Sequence, residues 1–128
     1  MNARTDVYLK SLVPPEQAVE ETLRRARAYE AAGGDGLFVP AATTEGDIRA
    51  IASSTGLPLN VLVLPGMAPV AELARWGVRR VSVGTAVASA ALATTRTIAR
   101  ELLEHGTYDT MFRDRVPSKE MNAHFARR

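Results

Sequence analysis

Apolar residues fall into two kinds of segment along the 128-residue chain. Short continuous apolar runs, typical of strands buried on both faces, alternate with longer segments in which apolar residues recur every three or four positions, as in amphipathic helices. The runs predict strands over residues 36–40, 59–64 and 78–83, and residues 2–9 form a further predicted strand and turn. Glycine and proline residues bound the runs, which indicates separate strands.

Four helices are predicted, one after each strand. The second begins at a capping-box sequence, Thr44 to Asp47, and the third carries Pro69 at its first position. The last and longest is rich in alanine and contains neither glycine nor proline before Gly106, which ends it. The predicted extents are residues 16–32, 44–55, 69–76 and 86–104.

The order of elements is a strand followed by a helix, four times over. The predicted strands start at residues 2, 36, 59 and 78, and this spacing suits βα units, whose parallel strands are joined by right-handed helical crossovers. Four such units equal the C-terminal half of a (β/α)8 TIM barrel, whose full length is about 250 residues. The expected fold is an α/β half barrel over residues 1–106 with a long last helix, followed by a C-terminal tail, 107–128, that docks on a neighbouring subunit.

A half barrel leaves both edges of its sheet open, because no further strands close it. The alternative is an open, doubly wound sheet of the flavodoxin type, with helices on both faces. That fold often carries a glycine-rich phosphate loop after its first strand, and residues 2–13 contain no glycine. The half barrel is therefore the favoured interpretation.

Composition narrows the class of protein. Hydrophobic residues make up 46% of the chain and charged residues 23%, which excludes intrinsic disorder. The absence of cysteine excludes thiolate nucleophiles, cysteine-ligated metals and disulfides, and makes a reducing cytoplasm the expected location. No apolar run suits a membrane span or a signal peptide. With 16 basic and 14 acidic side chains the net charge is +2, so nucleic acid is not an expected partner.

Four segments of the chain carry a family pattern. They are NARTD at residues 2–6, AGGDGLFVP at 32–40, PLNV at 58–61 and GVRRVSVG at 77–84. Their order and spacing resemble the C-terminal half of the phosphoenolpyruvate mutase and isocitrate lyase superfamily. The resemblance implies a (β/α)8 barrel that binds Mg²⁺ and a 2-oxo acid or its enolate, and that makes or breaks a C–C or P–C bond beside the 2-oxo acid.

The resemblance also implies residues that bind the substrate. Arg4 matches an arginine that binds the substrate carboxylate or phosphonate. Asp6 belongs to the family's Arg-Thr-Asp signature and is interpreted as a residue that orients Arg4, and the alternative is a solvated aspartate in a turn. Without the family, Arg4 is one half of an ion pair with Asp6 or Asp35. Asn60 matches an asparagine that reaches the substrate in the lyase branch, and the alternative is a hydrogen-bonded structural asparagine.

A further group lies where the last predicted strand turns into the last helix. Ser82, Gly84 and Thr85 occupy this turn, and backbone N–H groups at a helix start can hold an anion. An ordinary helix cap is the alternative. His105 and His124 lie away from the strand ends, so they are interpreted as surface residues and not as catalytic bases.

Two departures from the family pattern limit the chemistry. Superfamily lyases commonly carry a glutamate after the strand that ends in Phe-Val-Pro, whereas this chain has Ala41, so isocitrate or methylisocitrate lyase activity is not expected. The aspartates that hold Mg²⁺ in the family belong to earlier strands of the barrel, and this chain has no Asp or Glu cluster at alternate strand positions. The resemblance thus implies that Mg²⁺ is the cofactor, but the residues that would bind it are not expected in this chain.

Two hypotheses about function follow. The first is an enzyme-family polypeptide that binds a small carboxylate or phosphonate, with Mg²⁺-assisted cleavage or formation of the adjacent C–C or P–C bond. The second is a non-catalytic, self-assembling half-barrel remnant. A homo-oligomer is predicted, formed by exchange of the last helix or by pairing of sheet edges.

Overall fold

The computed structural model describes residues 1–126, which form two compact units, Met1–Gly84 and the segment from Thr85 onward. The first unit contains all the strands of the described chain. These are β1 (Asn2–Arg4), β2 (Gly36–Val39), β3 (Leu59–Leu62) and β4 (Val78–Ser82). Each predicted strand is present, and each is shorter than its apolar run.

The four strands are parallel and lie side by side in chain order, β1-β2-β3-β4. A flavodoxin-type sheet has its first two strands out of chain order, whereas neighbouring strands of a barrel wall follow one another along the chain. The half-barrel prediction is therefore confirmed over the flavodoxin alternative. After β1 the chain forms a turn over residues 7–11, as the sequence predicts.

Three helices follow the first three strands. They are α1 (Ala18–Ala31), preceded by a 3₁₀ turn, α2 (Glu45–Ser53) and α3 (Val70–Arg75). The predicted cap of α2 is confirmed, because Thr44 Oγ1 accepts a hydrogen bond from the backbone N–H of Asp47 at 3.2 Å. The prediction that Pro69 is the first residue of α3 is wrong by one position. Pro69 is the N-cap, since its ψ of 154° is extended and not helical.

The main hydrophobic core lies between these helices and one face of the sheet. Ile48 and Ile51 of α2 and Leu73 of α3 are fully buried in this core. The strands contribute Leu37, Val39, Leu59, Val61 and Val78. Burial of an aliphatic side chain of this size contributes about 1.5–3 kcal/mol to stability, so this layer dominates the stability of the first unit.

The opposite face of the sheet, which we call the open face, has no helix of the first unit packed on it. Successive strand residues point to opposite faces, so the residues between the core positions belong to the open face. Arg4, Phe38, Asn60 and Arg80 are consecutive register partners and form one row across the four strands. Leu62 and Ser82 form the next pair toward the carboxyl ends.

The sequence predicts that β4 is a buried strand, and this prediction is wrong. Val78 is buried, whereas Arg79 and Arg80 are exposed. These arginines are exposed because β4 lies at an edge of the described sheet and one of its faces is open.

The second unit is helical. It consists of α4 (Ala86–His105), α5 (Asp109–Arg113) and α6 (Ser118–Phe125). Gly106 ends α4 as predicted, with a left-handed φ of 67°. None of these three helices has a buried residue, and docking of the tail on a neighbouring subunit stays a prediction. No helix within residues 1–126 is long and apolar enough to cross a membrane.

Candidate functional site

The carboxyl ends of the four strands surround one cavity of the first unit. Parallel strands place their carboxyl ends at the same edge of the sheet, so residues far apart in the sequence meet there. This carboxyl-edge cavity has a volume of about 550 Å³. Its lining includes Arg4, Phe38, Leu62, Arg80, Ser82 and Gly84. Two guanidinium groups beside an apolar wall suit a small anion with a short carbon skeleton.

Arg4 is held at the rim of this cavity by contacts with its neighbours. Its Nε donates a hydrogen bond to Asp6 Oδ1 at 2.6 Å, and its guanidinium carbon lies 5.7 Å from the centre of the Phe38 ring. The carbonyl of Arg4 accepts a hydrogen bond from the hydroxyl of Tyr29 at 3.3 Å. The bond to Asp6 uses Nε alone, so the two terminal nitrogens can still donate to a ligand.

The two sequence interpretations of Arg4 are compatible in this geometry. Arg4 forms the ion pair with Asp6 and also lines the cavity. Asp35, the other candidate partner, instead pairs with the amino group of Met1. Asp6 therefore lies where it can orient Arg4, as the resemblance implies, and a contact between Arg4 and a substrate stays a prediction.

Asn60 forms a structural hydrogen bond. Its side chain is almost fully buried, and its Oδ1 accepts a hydrogen bond from the Ser82 hydroxyl at 3.1 Å. Asn60 lines a smaller cavity of about 230 Å³ at the amino edge of the sheet, together with Arg79 and Arg80. It does not line the carboxyl-edge cavity, so its link to that cavity runs through Ser82.

The turn after β4 brings Ser82 and Gly84 to the carboxyl-edge cavity. Gly84 has a left-handed φ of 53°, which glycine adopts without the penalty that a Cβ atom brings. Thr85 begins the second unit as the N-cap of α4, and its side chain makes no capping hydrogen bond. Anion binding by Ser82, Gly84 and Thr85 stays a prediction.

In the loops after β1 and β2, residues 5–14 and 40–44, the one carboxylate is Asp6, and it is bound to Arg4. Ala41 carries only a methyl group. Burial raises the pKa of the Tyr8 phenol, and the nearby Asp47 raises that pKa further, so the phenol stays protonated. His105 and His124 are exposed residues of the second unit. No carboxylate or histidine from the described residues lines the carboxyl-edge cavity, whereas two arginines do.

The described residues do not fit a magnesium site. Mg²⁺ requires an octahedral set of oxygen ligands that includes carboxylates. Residues 1–126 contain no group of three His, Cys, Asp or Glu side chains that could hold a metal ion. The carboxylate of Asp6 is already bound to Arg4. No metal chemistry is therefore assigned to these residues.

Arg80 is a residue that the sequence interpretation missed. It lies two positions before Ser82 on β4, and it lines both the carboxyl-edge cavity and the amino-edge cavity. The signal is present in the segment GVRRVSVG, because strand residues two apart share a face and Ser82 was already a candidate.

The sequence matches a known family over most of its length. The family model described as phosphoenolpyruvate phosphomutase matches residues 1–103. An oxaloacetate decarboxylase from Ectopseudomonas mendocina (strain ymp) is 38% identical over 106 residues, which cover 79% of this chain and 37% of that protein. Some curated relatives match this chain over most of its sequence. The chain spans about a third of the length of those relatives.

Solved structures share the fold. A protein from Burkholderia cenocepacia J2315, provisionally described as a lyase/mutase, matches with a TM-score of 0.82 at 35% identity, over 98% of this chain and 44% of that chain. A phosphonopyruvate hydrolase solved in complex with oxalate and Mg²⁺ matches with a TM-score of 0.69 at 23% identity, over 94% of this chain and 43% of that chain. At 23% identity, the similarity to the phosphonopyruvate hydrolase is evidence of a shared fold alone.

Proposed function

Because the chain belongs to the phosphoenolpyruvate phosphomutase family, within the phosphoenolpyruvate mutase and isocitrate lyase superfamily, we propose that its carboxyl-edge cavity binds a small 2-oxo acid. Arg4 holds the carboxylate or phosphonate of this ligand, and the protein takes part in making or breaking the C–C or P–C bond beside the 2-oxo group. A cytoplasmic location is part of the proposal and rests on the absence of cysteine.

The observation that carries the proposal is the geometry of Arg4. Arg4 lines the carboxyl-edge cavity, while Asp6 and the Phe38 ring restrict the position of its guanidinium. A restrained planar fork with free terminal nitrogens suits bidentate hydrogen bonding to a carboxylate or phosphonate. The similarity to an oxaloacetate decarboxylase supports oxaloacetate as a candidate ligand.

Besides Arg4 and Arg80, the donors in this region come from the backbone. The Ser82 hydroxyl donates its proton to Asn60, so Ser82 Oγ offers a ligand only an acceptor. Backbone N–H groups around Gly84 are therefore the natural second contacts for an anion. We assign binding and orientation of the substrate to residues 1–126, and we assign no metal-dependent or proton-transfer step to them.

The second candidate function is a non-catalytic, self-assembling half barrel. It is favoured by the open face, and by the poor fit of the described residues to a magnesium site. Calorimetric titration with Mg²⁺ does not separate the candidates, because the described residues offer no magnesium site in either case. Binding of a 2-oxo acid that depends on Arg4 is not expected of such a remnant.

The proposal is tested by calorimetry with oxalate, a stable analogue of a 2-oxo acid enolate. We expect Arg4→Ala to weaken binding by about 1.5–3 kcal/mol, the range for a hydrogen bond to a charged group. Arg27 is an exposed arginine of α1 that does not line the cavity, so Arg27→Ala is the matched control and leaves affinity unchanged. Equal affinity of the wild-type chain and Arg4→Ala for oxalate would contradict the proposal.

A further inference from the structure

Two consecutive arginines of β4 both lie off the core face of the sheet. Val78 and Val81 pack in or against the main hydrophobic core, although they are three residues apart. In a regular strand, residues an odd number of positions apart point to opposite faces. The pairing of β4 with β3 explains the exception, because its register skips Arg79. Arg79 is an extra residue, as in a β-bulge, so neither Arg79 nor Arg80 points into the core.

Arg79 and Arg80 both line the amino-edge cavity, whose volume is about 230 Å³. This volume is below the range of about 300–1,000 Å³ that is typical of pockets for drug-sized ligands, so the cavity suits a small ligand. Among residues 1–126, neither arginine has an ion-pair partner. Asp35 is the one carboxylate in the described lining, and it is bound to the amino group of Met1. The cavity therefore carries two positive charges that no free carboxylate of this lining offsets.

Asn60 adds a buried polar group to the amino-edge cavity. Its side chain is almost fully buried and lines this cavity. Because its Oδ1 accepts the hydrogen bond from the Ser82 hydroxyl, its amide nitrogen is the group left to donate to a ligand. Two guanidinium groups and one amide nitrogen supply hydrogen-bond donors, and a set of this kind favours an oxyanion over a cation or a neutral ligand.

We propose that the amino-edge cavity is a binding site for a small tetrahedral oxyanion of the phosphate class, held by Arg79 and Arg80. A phosphate has more oxygens and a larger negative charge than a carboxylate, so it can accept hydrogen bonds from two guanidinium groups at once. The bulge in β4 serves this site, because it places two consecutive arginines on the same cavity. The site is independent of the proposed function, since Arg79 does not line the carboxyl-edge cavity.

The experiment is an NMR titration of the full ¹⁵N-labelled chain with inorganic phosphate at constant ionic strength. We expect the amide signals of Asn2 and Gly36 to shift, and Arg79→Gln to weaken phosphate binding about tenfold or more. Arg27 is an exposed arginine of α1 that does not line this cavity, so Arg27→Gln removes the same charge and leaves the affinity unchanged. Arg79→Lys keeps the charge without the planar fork and retains part of the affinity. Acetate binds more weakly than phosphate.

Three results would overturn the amino-edge site. They are equal losses of phosphate affinity in Arg79→Gln and Arg27→Gln, acetate binding as tight as phosphate binding, and no shift at Gly36 at millimolar phosphate. Titration of the variants with oxalate separates this site from the proposed function, because Arg79→Gln leaves oxalate binding at the carboxyl edge unchanged. Arg4→Ala leaves phosphate binding unchanged, and a loss there would place the phosphate at the carboxyl edge and overturn the inference. Circular dichroism of each variant verifies that its fold is intact.

Discussion

Ala41 combines a missing functional group with an unfavourable backbone conformation. It follows Pro40 at the carboxyl edge and has a φ of 67°, a left-handed conformation that costs a residue with a Cβ atom about 1–2 kcal/mol. Backbone strain of this kind is concentrated at functional sites, which agrees with the location of Ala41. The methyl side chain cannot take part in proton transfer, so isocitrate lyase activity is not expected of this chain.

The strain at Ala41 predicts the effect of two adjacent substitutions. Ala41→Gly relieves the steric conflict of the Cβ atom, so we expect it to raise the free energy of unfolding by about 1 kcal/mol. Ala42 is fully buried and is not among the residues with positive φ, so Ala42→Gly is expected to lower that free energy. Urea unfolding followed by circular dichroism measures both changes. A loss of stability in Ala41→Gly comparable to that in Ala42→Gly would show that Ala41 is not strained.

The arginines show what could be predicted for single residues. The pair formed by Arg4 and Asp6 was one of two that the sequence allowed, and their spacing is compatible with it, because residues two apart at the end of a strand point to the same side. Arg80 was not predicted, because two consecutive arginines in a short strand look like solvated charges. The two-residue spacing from Ser82 nevertheless places Arg80 on the same face, and a register irregularity at Leu59 and Asn60 makes Arg80 the partner of Asn60.

At the scale of elements, Glu101 fastens α5 to α4. Its carboxylate accepts hydrogen bonds from the Thr107 hydroxyl and from the backbone N–H groups of Asp109 and Thr110, at 2.7–2.9 Å. These two N–H groups lie at the start of α5, where a carboxylate is favourable. The hydrogen bonds, chiefly those from Thr110, lower the pKa of Glu101 to about 2. These hydrogen bonds hold residues 107–110, the corner between α4 and α5, in a defined conformation.

The lowered pKa predicts an acid-sensitive corner. A carboxyl group with a lower pKa in the folded state stabilises that state above its unfolded pKa, near 4.5, and loses this contribution as the pH falls toward 2. We expect the amide proton shifts of Asp109 and Thr110 to titrate with a midpoint near 2. Glu101→Gln abolishes this titration, whereas Glu104→Gln, on the same helix, leaves it unchanged. A midpoint near 4.5 in the wild-type chain would contradict the hydrogen-bonding scheme.

The elements could be predicted where local chemistry defines them. Thr44 caps α2 and Gly106 ends α4 as expected, because both depend on residues within one helical turn. The degree of burial of β4 could not be predicted from its own residues, because it depends on whether another strand or helix covers it, and β4 is an edge strand of the described sheet. The order of the strands could be predicted only from several elements together, because it follows from the repeated alternation of a strand and a helix and from the length of each βα unit.

At the scale of the whole molecule, the first unit has unpaired sheet edges at β1 and β4. Exposed edges of parallel strands pair readily with other strands, so we expect the chain to sediment as a dimer or larger species at micromolar concentration. Leu103 of α4 is 86% exposed. If subunits assemble by exchange of this helix, Leu103→Lys removes apolar contact area and weakens the oligomer. If they assemble by pairing of sheet edges, Leu103→Lys leaves the oligomer unchanged. A compact 13.8 kDa monomer in analytical ultracentrifugation would contradict this prediction.

The central claim is that a 2-oxo acid binds at the carboxyl edge of the sheet, and amide chemical-shift mapping tests it most directly. Titration of ¹⁵N-labelled chain with oxalate is expected to shift the amide signals of Phe38, Ser82 and Gly84, and Arg4→Ala is expected to move these shifts to much higher oxalate concentration. Shifts confined to the amino edge, at Asn2 and Gly36, or to α4 would contradict the account, as would unchanged shifts in Arg4→Ala.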